Sequence, residues 1–205
     1  MLTDAQVERY SRQIILPEVG ARGQERLLAA RVAVHGDGAA ATTAATLLGR
    51  AGVGTLDVDE RIGTLPEVAP ECRISRGNGD GENVLVVLPE WRPGDGVSGV
   101  LWSLEARTPV VHGIPGARLI LATLLWRSCL ACFPDTWPLD DAIPLPPEAA
   151  PASRTMLGAL AANEALRALL TAPTKSRLTL LDVVHGTAVV KEIQPVGCRF
   201  CKAPA

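Results

Sequence analysis

Residues 31–60, RVAVHGDGAAATTAATLLGRAGVGTLDVDE, constrain the fold more than any other stretch. A short β-branched run, 31–35, has the character of a buried parallel strand. It feeds a turn, Gly36-Asp37-Gly38, and then a small-residue stretch, 39–51, that can pack close to a sheet as a helix. A second strand, 54–60, closes on Asp59 and Glu60. Strand, glycine turn, helix and strand in that order predict an α/β fold. The expected architecture is Rossmann-like and three-layered, with a mostly parallel sheet. The turn itself reads G-x-G-x-x-A, with Gly36, Gly38 and Ala41 at the three positions. Such turns cradle phosphates, and they also serve purely as structural bends. Here an aspartate, Asp37, stands between the glycines, where it would either compete with a phosphate for the helix N-terminus or point away to solvent, weakening phosphate binding without excluding it.

Around this unit the other elements can be placed in order. Residues 3–13 read as a helix capped by Thr3 or Asp4, with Val7, Tyr10 and Ile14 on one face. A second helix is expected over 20–29. The stretch 61–82 is rich in glycine, proline and charge and reads as loop, with one short strand near Arg73 to Ser75. NVLVVLPE (83–90) is another buried strand, GVLWSLEAR (99–107) a short helix, and TPVVHGIPG (108–116) a strand and turn. ARLILATLLWRSCLACF (117–133) continues the sheet into a cysteine pair, and 134–152 is a proline-rich crossing loop. A helix is expected over 153–170, capped by Ser153, with Leu157, Leu160, Ala161, Leu166 and Leu169 inward. SRLTLLDVVHGTAVVKEIQP (176–195) reads as an antiparallel hairpin turning at His185-Gly186. The 205 residues suit one domain: a helical leader (1–30), a nucleotide-binding half (31–126) and a C-terminal half (127–205).

Composition narrows the function. With 47% hydrophobic residues the chain should be globular, and a net charge of −2 with 3% aromatics argues against nucleic acid as partner. The N-terminal residues carry no apolar signal core and no stretch is long enough to span a membrane, so the expected compartment is the cytoplasm, where thiols stay reduced. Arginine outnumbers lysine 17 to 3, and the lysines are Lys175, Lys191 and Lys202. Of the five cysteines, four form two Cys-x-x-Cys pairs, Cys129 with Cys132 and Cys198 with Cys201. Two such pairs suffice for a closed tetrahedral zinc site of structural type; redox dithiols are the alternative.

The leader and the glycine unit together, ERYSRQIILPEVGARGQERLLAARVAVHGDG through AGVGTLDVDE, resemble the N-terminal half of the ThiF/MoeB/HesA family, relatives of the ubiquitin-activating enzymes. CLACFPD (129–135), GALAANEALRALL (158–170) and GCRFC (197–201) resemble that family's C-terminal half. The resemblance implies ATP-dependent adenylation of the C-terminus of a ubiquitin-like or sulfur-carrier protein. It further implies a dimer, with itself or with a relative. In such a dimer a leader arginine, here Arg12, reaches the partner's site; an interface ion pair is its other role. It also implies that zinc occupies the two cysteine pairs and ties the tail to the sheet, and that magnesium accompanies ATP.

Adenylation brings a carboxylate up to a polyphosphate, so the site must supply cations and N–H donors. By family position, Asp59 or Glu60 takes a ribose hydroxyl, and Glu90 stands where a metal-binding aspartate would be, with Trp91 in place of asparagine. The family's SNL and RQ motifs and its lysine have no counterpart between Glu60 and Val84, a segment shorter than the family's. Arg61 or Arg73 is left as the substitute cation. Cys72, the unpaired cysteine, reads as an ordinary half-buried thiol. Efficient adenylation is therefore doubtful, and the rival reading is a non-catalytic pseudoenzyme that pairs with an active relative or holds a carrier or peptide. A strand-end acid after G-x-G-x-x-A would also permit a dinucleotide, a third reading that the leader and the cysteine pairs disfavour.

Overall fold

The computed structural model describes residues 1–77, 83–88, 108–114, 119–128, 150–182 and 185–193. In chain order the elements are α1 (Asp4–Ile14), α2 (Gly20–Ala29), β1 (Arg31–Gly36), α3 (Gly38–Arg50), β2 (Thr55–Val58), β3 (Arg73–Arg76) and β4 (Val84–Leu88). Then come β5 (Val110–Ile114), β6 (Leu119–Leu125), α4 (Ala150–Leu170), β7 (Ser176–Asp182) and β8 (Thr187–Ile193). The strands form one sheet in the order β3-β2-β1-β4-β5-β6-β7-β8. The first five run parallel, and β6, β7 and β8 alternate antiparallel. This is the expected Rossmann-like sheet with an antiparallel C-terminal end. Its order reverses between β1 and β4, and the crevice at such a switch point is where open α/β sheets bind ligands.

Both faces of the sheet are buried, as a parallel sheet requires. On one face Val32, Val34, Leu56, Val58, Val84 and Val86 pack with α3 and α4 into a single core. On the other, Ala33, Asp57, Val110, His112, Thr123 and Leu125 are also buried, which makes the sheet a middle layer. Alanines do much of the helical packing: Ala41, Ala44, Ala45, Ala161 and Ala165 are fully buried, which lets the two helices approach closely. At their crossing a Cβ on Gly158 would overlap the carbonyl of Ala40.

Two expectations are corrected. The last helix begins at Ala150, so Ser153 is a buried residue of its first turn and does not cap it. Pro151 falls in that first turn, where a missing N–H costs nothing. Val7 does not share the buried face of α1: it is exposed, Ile14 is half-buried, and Tyr10 alone is buried. The Tyr10 hydroxyl donates to Glu71 Oε2 at 3.2 Å, and burial pushes its pKa up to about 12. Thr3 does cap α1, in a reciprocal box with Gln6. The helix expected over 99–107 and most of the proline-rich loop lie outside the described residues. Among the described residues no helix is long and apolar enough to cross a membrane.

Candidate functional site

At the switch point β1 delivers the chain into the glycine turn. Gly36 has φ +135°, and a Cβ there would overlap the Leu88 carbonyl on β4, so only glycine fits. Asp37 is extended, with no side-chain capping bond to the helix it precedes. Gly38, at φ +66°, opens α3 and is exposed. Ala41 is fully buried, so its role is close helix–sheet packing, as expected of the third position in the fingerprint. The first turn of α3 thus faces the crevice with backbone N–H groups that Asp37 does not cap.

The strand-end acid completes the site in a way the sequence did not reveal. Asp59 lies just past β2 and is almost buried. Arg61 clamps it three times: its backbone N–H and Nε donate to Asp59 Oδ1 at 3.0 Å each, and an Nη donates to Oδ2 at 2.7 Å. The Gly36 N–H points at the same Oδ2 from 3.5 Å. These donors hold the Asp59 carboxyl well below the usual carboxylate range. The remaining Arg61 Nη lies 3.4 Å from Asp37 Oδ2. Arg61 therefore joins the strand-end acid to the acid inside the glycine turn, with its side chain 64% exposed.

Of the other expected residues, Glu60 is exposed, and its neighbour Asp59 is the acid directed into the site. Arg12 is exposed on α1 near Tyr10, which packs by Gly52 just past the C-terminal end of α3. The glycine turn is at the opposite end of that helix, about 20 Å away, so one copy of the chain does not bring Arg12 to it. Arg73 pairs in register with Thr55 at the start of β2, about 13 Å along the strand from Asp59. Of the two substitute cations, only Arg61 reaches the turn. Glu90, Cys129, Cys132, Cys198 and Cys201 lie outside the described residues. Cys72 packs against the core, and burial pushes its thiol up to about 11, the behaviour of an inert cysteine.

Three sets of polar residues went unread in the sequence. Asp57 is buried on β2, paired with Arg31 Nε at 2.6 Å and accepting from Ser75 Oγ at 2.8 Å. His112 and Thr123 are cross-strand partners on β5 and β6, both buried, with Nδ1 and Oγ1 unbonded among the described residues. Burial lowers the His112 pKa to about 4. Glu164 is buried on α4, accepts from Thr179 and faces Arg177 Nε at 3.2 Å. The signal for each was a polar residue at a core-facing period. A surface cavity of 340 Å³ lies at the end of α4, between Arg167, Lys175, Arg177 and Glu192. It opens at the far ends of the strands, and Lys175 and Arg177 are paired to Glu192 at 3.5 and 3.6 Å. The crevice at Gly36 is the better candidate on chemistry.

Residues 10–60 match the model of the ThiF family. The matched segment runs from Tyr10 in the leader through the strand–turn–helix–strand unit. Over 55 residues the chain is 53% identical to the vegetative HesA protein of Trichormus variabilis, covering 27% of this chain and 21% of that protein. It is 49% identical over 55 residues to the adenylyltransferase and sulfurtransferase uba4 of Pyricularia oryzae, covering 27% and 11%. The matched segment thus spans only a small part of these relatives. The fold match is far longer. E. coli MccB, in a structure with ATP, superposes with a TM-score of 0.68 at 15% identity, covering 94% of this chain and 74% of that one. PaaA superposes at 0.62 and 15% identity, covering 94% and 84%.

Proposed function

We propose that this chain works in the ATP-dependent activation of a C-terminal carboxylate on a ubiquitin-like or sulfur-carrier protein, at low intrinsic efficiency. The observation that carries the reading is the arginine held at a glycine turn by a strand-end acid, at the switch point of a ThiF-type fold. In the proposed step a carrier carboxylate oxygen attacks the α-phosphate, the bond from that phosphorus to the bridging oxygen breaks, and pyrophosphate leaves. Arg61 and the first-turn N–H groups of α3 would receive the phosphates, and Glu90 would bind magnesium. Efficiency is low because Asp37 adds an anion where charge must be neutralised and no lysine precedes Lys175.

A non-catalytic role beside an active relative is the second reading. The internal ion pairs at the turn favour it, as do the exposed Val7, Ile15 and Leu16 of the leader, which suit a protein contact. Under either reading Cys129, Cys132, Cys198 and Cys201 hold a structural zinc, and Arg12 belongs to a dimer interface. Calorimetric titration of the zinc-loaded protein with magnesium-ATP, then pyrophosphate exchange with candidate carriers, separates the two. Carrier-dependent exchange is the expected result. Binding without exchange leaves the second reading, and no binding at millimolar ATP defeats the first.

A further inference from the structure

We infer that Asp37 is an internal stand-in for a ligand phosphate: it covers the outer edge of Arg61, and a polyphosphate must displace it from that arginine to bind. The inference rests on the reading of this turn as a nucleotide site. It adds an autoinhibitory contact and names the phosphate-binding cation.

Arg61 is placed by Asp59 and not by Asp37. Three of its donors meet the two Asp59 oxygens at 2.7–3.0 Å, which fixes the guanidinium at the mouth of the turn. The outer Nη takes no part in that clamp, and the carboxylate it meets is Asp37, at 3.4 Å. That second contact is long and solvent-facing, the kind of ion pair that contributes least. Asp37 makes no side-chain capping bond to α3, so its carboxylate does not satisfy the first-turn N–H groups. A cation with one outward edge, helix N–H groups that Asp37 does not cap and a glycine turn all converge on one place, and each is suited to an anion. The anion now in that place is the protein's own. A bidentate Arg–carboxylate pair such as Arg61–Asp59 survives ligand exchange, whereas the Arg61–Asp37 contact need not. Displacing Asp37 leaves its charge beside the incoming phosphates, so the native turn binds polyphosphate weakly.

The test uses the full, zinc-loaded chain and three probes by calorimetry: magnesium-ATP, inorganic tripolyphosphate and adenosine. Asp37→Asn keeps shape and removes the charge. It should tighten both phosphate probes about tenfold and leave adenosine unchanged. Arg61→Gln should weaken both phosphate probes, whether introduced alone or together with Asp37→Asn. Arg61→Lys, which keeps a cation, guards against loss by misfolding and should retain part of the gain. Unchanged phosphate affinity in Asp37→Asn, or equal tightening of adenosine, overturns the inference. So does phosphate binding indifferent to Arg61→Gln. Failure of carrier-dependent pyrophosphate exchange, with the phosphate effects intact, would defeat the adenylation reading and leave this one standing.

Discussion

Single residues here act through what surrounds them more than through their type. His112 carries the clearest consequence. It is 4% exposed, and burial takes its pKa from the ordinary 6.5 to about 4. The unfolded chain takes up the proton first, so the stability tied to neutral His112 is complete above pH 6.5 and drains away as the pH drops to about 4. The full effect is about 3 kcal/mol. Asp57 and Asp59, both held below 3.8, lose their contributions only at still lower pH. Thermal melts from pH 7 to 4 should therefore fall steeply for the native chain and only shallowly for His112→Leu. Because Nδ1 has no partner among the described residues, the leucine variant sacrifices no hydrogen bond to them there; an unaltered pH profile would refute the assignment. Gly36→Ala has no room beside Leu88 and should abolish nucleotide binding and lower stability together, read from calorimetry and chemical denaturation.

At the scale of elements, the close α3–α4 crossing is the joint that holds the site's helix in place. Gly158 sits against Ala40 and Thr43, within the first two turns of α3. Gly158→Val should cost about 1–3 kcal/mol by overpacking and displace the turn that Arg61 faces. The denaturation midpoint should fall, and ATP affinity with it. Retained affinity in the destabilised variant would separate packing from the site. Element types were legible because periodicity and cap chemistry agree with burial: Thr3 opens α1, and the β-branched runs are the buried strands. The start of α4 was not legible, since Ser153 offers a capping signal and Pro151 reads as loop, while the helix starts at Ala150 with Pro151 in its first turn, where proline is tolerated.

Across the whole molecule, the proposed zinc should tie the C-terminal tail to the sheet. Metal analysis should find one zinc per chain, and chelation should lower the melting temperature by several degrees or more. Equal melting of the chelated and loaded protein would remove the structural role. Sedimentation should report a dimer that Ile15→Asp weakens; a monomer at all concentrations would leave Arg12 without a site to reach. The candidate site was only half readable beforehand. Gly36, Gly38, Ala41 and Asp59 are local in sequence and carry a fingerprint. The contact proposed to control phosphate binding joins Asp37 to Arg61 across 24 residues, and no spacing rule pairs them.

The sequence alone determined the features that short-range rules dictate: strand against helix, the glycine-only turn, the strand-end acid and the family likeness of residues 10–60. Tertiary structure decided which charges meet. Arg61 and Arg73 are equal as letters, and the parallel register of β2 and β3 carries one to the carboxyl ends of the strands and the other to the amino ends. Burial likewise chose Asp57, His112 and Glu164 for the interior, because a side chain's solvent is set by every element packed around it and not by its neighbours in the chain.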